Sequence, residues 1–168
     1  CLDRFNGMWA FVLLDLERKR IFAARDRFGV KPFYYSFFGG DLHFGSEIKA
    51  VLHISGMEPH VCESAMADYF VMDLTDHKKE TCFDGVHRLM PGEMLIYDLA
   101  SGKHEIEQYY RLDYHPYMGR ASKAVFSGYV EEFYRLMHDA VRIRLRSDVP
   151  VGTCLSGGLD SSTIVSIM

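Results

Sequence analysis

The sequence predicts an α+β part followed by an α/β part: an antiparallel sheet with helices, then the first helix, strand and loop of a doubly wound domain. Three observations carry this. Several strand-length apolar runs follow one another between short turns in residues 1–113. Residues 127–146 place Val130, Phe133, Met137, Val141 and Leu145 at helical spacing, with Arg142, Arg144 and Arg146 where a helix C-terminus favours cations. Finally, Val149 to Ser162 (VPVGTCLSGGLDSS) runs an apolar strand into a glycine-bearing loop and then a helix start, as an α/β nucleotide domain begins.

From the N-terminus, Gly7 to Asp15 reads as a strand and Arg20 to Arg25 as its partner. Phe33 to Phe38 is an aromatic strand, and Gly39-Gly40 closes a two-residue hairpin onto Leu42 to Gly45, a turn that needs positive φ. Ser46 to Leu52 reads as a short helix capped by Ser46, and Glu63 to Met72 as a second. Asp73 to Glu80 reads as a polar loop and Leu89 to Glu93 as a turn. Strands are expected at Met94 to Leu99 and Glu105 to Leu112. Residues 114–125, bearing proline, glycine and serine, are the expected linker, which divides the chain into 1–113 and 126–168.

Composition narrows the function classes. The chain has 168 residues, is 48% hydrophobic and can bury a core. Its net charge of −4, without a basic stripe, argues against nucleic acid as a partner. No apolar run reaches about 18 residues, so no membrane helix is expected. Cys1, Cys62, Cys82 and Cys154 have no C-x-x-C spacing, which fits free thiols in a reducing cytoplasm better than a zinc site.

The chemistry concentrates at Leu155, Ser156, Gly157, Gly158, Leu159, Asp160, Ser161 and Ser162. A loop that restarts as a helix leaves backbone N–H groups unpaired at a positive dipole end, a phosphate-binding device. Glycines 157 and 158 let phosphate approach, and Ser156, Ser161 and Ser162 offer hydroxyl donors. No lysine stands where a Walker loop needs one; Asp160 stands in the loop instead. A carboxylate beside phosphates calls for a cation between them, so Asp160 is the expected Mg²⁺ ligand. The competing structural explanation is a tight turn with serine caps.

The motif SGGLDSS resembles the pyrophosphate loop of N-type ATP pyrophosphatases. Four ordered motifs extend the resemblance: ARDRFGVKPFYY (Ala24 to Tyr35), LHFGSEIKAVL (Leu42 to Leu52), GVHRLMPGEML (Gly85 to Leu95) and SDVPVGTCLSGGLDSS (Ser147 to Ser162). Together they resemble glutamine-hydrolysing asparagine synthetase. The resemblance implies that residues 1–113 are the C-terminal part of a class II glutamine amidotransferase domain, antiparallel and Ntn-hydrolase-like. Residues 126–168 then begin an ATP pyrophosphatase-type synthetase domain, with residues beyond Met168 expected to complete the ATP pocket. It further implies a cytoplasmic, often dimeric enzyme that takes glutamine, aspartate and ATP and passes through β-aspartyl-AMP; the fragment alone is expected to be inactive.

Cys1 invites a mistaken reading, because that family uses an N-terminal cysteine as nucleophile. Motif order places the family's cysteine well upstream, with its arginine and asparagine-glycine pair, so Cys1 is expected to be an ordinary residue. Arg25, Asp26 and Lys31 are expected chiefly to pair across a turn, and Glu47 to favour a helix start. The alternatives kept open are a β-lactam synthetase-type ligase acting on another carboxylate and a non-catalytic nucleotide-binding scaffold.

Overall fold

The computed structural model describes residues 1–116, 119 and 122–168. The chain divides into two compact units, Cys1–Asp113 and Tyr114–Met168. The first unit holds strands β1 (Ala10–Asp15), β2 (Arg20–Arg25), β3 (Tyr34–Phe38), β4 (Asp41–Gly45), β5 (His87–Arg88), β6 (Glu93–Asp98) and β7 (His104–Gln108), with helices α1 (Ile48–Ser55) and α2 (Glu63–Met72). They form a four-stranded sheet ordered β1-β2-β6-β7 and a three-stranded sheet ordered β4-β3-β5. Every pairing is antiparallel, so the unit is α+β.

Period-two alternation sets which residues meet in the core. Val12 opposes Ala23, Ala23 opposes Leu95, and Leu95 opposes Ile106, so one row of apolar side chains crosses all four strands of the larger sheet. Phe33, Tyr35 and Leu89, on and beside the smaller sheet, pack into the same cluster with Ala23, Leu95 and Tyr97. Burial, aided by the charges of Glu93 and Glu80, pushes the Tyr35 hydroxyl up to about 12. The Gly39-Gly40 turn has φ of 66° and 91°, the doubly positive geometry that two-residue hairpins need.

Several boundaries differ from expectation for identifiable reasons. The first strand begins at Ala10, because the Trp9 N–H turns to the Asp26 carboxylate at 3.3 Å. Glu47, not Ser46, caps α1, and its side chain makes no capping bond. β5 was not legible as a strand: its two residues pair with Tyr34 and Tyr35 only through tertiary contact. The polar loop after α2 is tied down, since Asp68 contacts Lys78 at 2.5 Å and His77 at 3.1 Å. Arg88, with its guanidinium buried, pairs with Asp76.

The expected charge pairing at Arg25, Asp26 and Lys31 is corrected outright. Asp26 is 1% exposed. Its carboxylate accepts backbone N–H groups from Lys31 (2.9 Å), Val30 (3.0 Å), Phe28 (3.2 Å) and Trp9 (3.3 Å). Arg25 donates to the carbonyls of Lys31, Leu89 and Gly29, each at 2.7 Å. Both charges therefore fold the 26–31 turn, and the Lys31 main chain, not its ammonium, completes the arrangement. Burial pushes Asp26 up, yet the four N–H donors outweigh it and hold its pKa below the ordinary carboxylate value.

Within the second unit, α3 (Lys123–Arg144) and α4 (Leu159–Ile167) are joined by an irregular segment. The Ser122 Oγ accepts the Val125 N–H at 3.4 Å, so α3 starts inside the expected 114–125 linker, and Arg146 falls beyond its end. Linker residues 117, 118, 120 and 121 lie outside the described residues. The strand expected at Val149 is not present among the described residues. A parallel strand exists only through its neighbours' hydrogen bonds, and all the assigned strands belong to the first unit's antiparallel ladders. The unit is a helix–loop–helix, not by itself a doubly wound sheet.

Asp26→Asn should cost about 3 kcal/mol in denaturant unfolding, because an amide NH₂ replaces an acceptor of two N–H groups. A lowered folded pKa means the unfolded state binds more protons in acid. The Asp26 contribution should thus be complete above about pH 3.9, vanish as pH falls through its lower folded value, and be missing in the variant. Gly92→Ala should cost roughly 2–4 kcal/mol, as φ is 71° and the new Cβ would lie 2.5 Å from the Tyr110 carbonyl oxygen. Gly39→Ala, with φ 66° and open space, should cost only about 1 kcal/mol.

Candidate functional site

The phosphate-loop residues do come together at one helix start. Gly157 has φ +80°, a left-handed conformation that turns the chain, and Gly158 is the N-cap of α4 with extended backbone. The helix's first bond runs from the Ser162 N–H to the Gly158 carbonyl at 3.0 Å. The N–H groups of Leu159, Asp160 and Ser161 lie ahead of it and meet no intrahelical carbonyl. They share the positive end of the helix dipole.

A Cβ on Gly157 would meet nothing within 4 Å, and one on Gly158 would meet only the Ser156 and Ser161 hydroxyls at 3.6 and 3.9 Å. Space for a ligand therefore remains open over the turn. Asp160 is exposed in the first turn of α4, and Leu155 and Leu159 are 61% and 83% exposed on either side of the glycines. Among the described residues no group of three or more His, Cys, Asp or Glu side chains is arranged to hold a metal ion.

The serines are not three equivalent donors. Ser161 Oγ donates to the Gly158 carbonyl at 3.1 Å, so the 2.9 Å contact between Ser156 and Ser161 is filled by the Ser156 proton. Both hydroxyl protons turn inward and brace the loop, whereas Ser162 keeps its hydroxyl free of these bonds. Sequence spacing gave no sign of this division, because positions 156 and 161 meet only when the Gly157 turn is made.

The other candidates are placed apart. Cys1 is exposed, and its carbonyl accepts the Arg4 N–H at 3.0 Å to close a single 3₁₀ turn over Leu2–Arg4. Arg25 and Asp26 hold the 26–31 turn as described above. Glu47 pairs with Lys49 at 2.7 Å on an exposed surface.

Comparison with known proteins defines the class. Residues 1–110 match the glutamine amidotransferase domain model, and the chain belongs to that family. Residues 132–168, which contain the phosphate loop, match the asparagine synthase model.

Individual relatives agree across the whole chain. It is 40% identical to a putative glutamine-hydrolysing asparagine synthetase 2 of Methanocaldococcus jannaschii, over 100% of this chain and 32% of that protein. It is 36% identical to glutamine-hydrolysing asparagine synthetase 3 of Bacillus subtilis, over 99% of this chain and 26% of that protein. It is also 34% identical to the amidase chyE of Penicillium rubens, over 99% of this chain and 24% of that protein. The chain thus spans about a quarter to a third of the length of these relatives.

Gly157→Ala should strain the turn by about 1 kcal/mol. Faster hydrogen exchange at the Ser162 amide, on the order of fivefold, is the expected result, and unchanged exchange would show that the left-handed turn is not required.

Proposed function

We propose that this chain is the junction of a glutamine-hydrolysing asparagine synthetase, an AMP-forming ligase that makes asparagine from aspartate, ATP and glutamine-derived ammonia. One observation carries the reading. An amidotransferase match ending at residue 110 is followed on the same chain by an asparagine synthase match from residue 132, and the second contains an open, N–H-rich helix start. In this reading residues 1–113 belong to the amidotransferase domain, 114–125 link, and 126–168 open the synthetase domain.

The loop's task is to hold the leaving group. When the aspartate side-chain carboxylate attacks the α-phosphorus of ATP, pyrophosphate departs with growing negative charge. In this reading the N–H groups at 159–161 and the α4 dipole meet that charge, and Ser162 adds a hydroxyl donor. Ser156 and Ser161 keep the loop in shape, and Gly157 and Gly158 keep side chains out of the way. Ammonia then displaces AMP from β-aspartyl-AMP to give asparagine.

A lone exposed carboxylate suits Mg²⁺, which keeps most of its waters and takes one or two carboxylates plus substrate phosphates. Asp160 would hold it, and the ion would neutralise charge between the carboxylate and the pyrophosphate oxygens. Glutamine, aspartate and ATP are thus the proposed substrates, with ATP and Mg²⁺ at the loop. A homodimer in the cytoplasm, without a nucleic-acid partner, completes the proposal. No helix among the described residues is long and apolar enough to cross a membrane.

The test is Mg²⁺-dependent ATP–pyrophosphate exchange by the full-length protein, with aspartate added or withheld. Aspartate-dependent exchange is expected, falling by about 100-fold or more in Asp160→Ala, the size of effect seen when one group stabilising developing charge is removed. Exchange that ignores aspartate would instead point to another acceptor carboxylate.

A further inference from the structure

Two of the free cysteines face each other across a short ladder that the proposed chemistry does not use. Val61 and Phe83 form an isolated antiparallel bridge. It is framed by bonds from the Cys62 N–H to the Cys82 carbonyl and from the Asp84 N–H to the His60 carbonyl, both 2.9 Å. That register makes Cys62 and Cys82 directly opposed residues. In antiparallel pairing, opposed residues carry their side chains on the same face, with Cα atoms about 5.5 Å apart at a hydrogen-bonded pair. A disulfide spans about 4.4–6.8 Å between Cα atoms.

Polar groups gather beside the pair. Cys62 is the N-cap of α2. Its Sγ lies 3.5 Å from the Ser64 hydroxyl, which in turn receives the Lys78 ammonium at 3.4 Å. Lys78 and Cys82 also line one small cavity of about 130 Å³, together with Tyr34, Asp76 and Arg88. Cys82 is exposed and Cys62 half-buried, so a small reagent reaches the pair.

We propose that Cys62 and Cys82 form a thiol–disulfide redox site that reacts with low-molecular-weight disulfides such as glutathione disulfide. One thiolate attacks a glutathione sulfur, forming a mixed disulfide and releasing one glutathione thiolate, which takes up a proton. The opposed thiol loses its proton and attacks the protein sulfur of that mixed disulfide, forming the Cys62–Cys82 bond and releasing the second glutathione. The cysteine pair is oxidised by two electrons, and glutathione disulfide is reduced to two thiols. The bond fastens the N-terminus of α2 to the segment that carries the buried Thr81 and leads into Arg88.

The chain is incubated with glutathione disulfide, the remaining thiols are blocked, and peptides are mapped by mass. The expected product is a linked Cys62–Cys82 peptide pair, lighter by two hydrogens and free of glutathione, while Cys1 and Cys154 carry glutathione or the blocking reagent. Cys82→Ser should leave glutathione trapped on Cys62, and Cys62→Ser should leave it on Cys82. The unfolding temperature of the wild-type chain should rise on oxidation by roughly 5 °C, and that of either serine variant should not. Stable mixed disulfides at both Cys62 and Cys82 in the wild-type chain, or no reaction at either, would overturn the proposal.

Discussion

The buried Asp26 carboxylate is the constraint on which the first unit depends. A charge 1% exposed is tolerated only when hydrogen bonds replace the water it has lost. Here four backbone N–H groups do so, and the Asp26 main chain adds bonds to Trp9, Gly29 and Gly92. One residue thereby joins the entry to β1, the turn after β2 and the turn before β6. Arg25 supplies the complementary half by capping carbonyls of the same turn and of Leu89, where the smaller sheet meets the larger. The two side chains are adjacent in sequence, and the hydrogen bonds of each go to backbone groups that the turn would otherwise leave unpaired.

Close approach of main chain to main chain follows from that arrangement. Gly92 sits with φ 71° against the Tyr110 carbonyl, and Gly29 with φ 66° against Pro91 and the Arg25 guanidinium. Neither site has room for a Cβ. The Tyr109 hydroxyl then reaches back to the Arg25 carbonyl at 2.7 Å and ties the end of the last strand to the same knot. The ARDRFGVKP and LMPGE motifs are therefore two sides of one junction.

The second unit rests on a different principle, unpaired donors where the first unit satisfies its own. At Leu159, Asp160 and Ser161 the helix start leaves N–H groups without intrahelical partners, and the N-cap supplies no side-chain bond. An exposed helix end of this kind is inexpensive in water and becomes useful when an anion arrives. The inward bonds of Ser156 and Ser161 hold that opening in shape while it waits.

What the sequence determined by itself was local. Strand-length runs between turns set β2 and β6, glycine pairs set the β3–β4 hairpin, helical spacing set most of α3, and SGGLDSS set the loop at the start of α4. Each depends on residues within a few positions of one another, so a linear reading suffices. Tertiary structure alone decided the rest. It made β5 a strand, since pairing with Tyr34 and Tyr35 creates it; it left Val149 without one, since a strand needs neighbours; and it turned Asp26 from a turn charge into a buried acceptor. It also divided the loop serines by role and set Cys62 opposite Cys82. Pairing between residues distant in sequence decides the strands and the cysteine register, and the Asp26 and serine bonds form only once the turn geometry is made; composition and spacing contain no record of either.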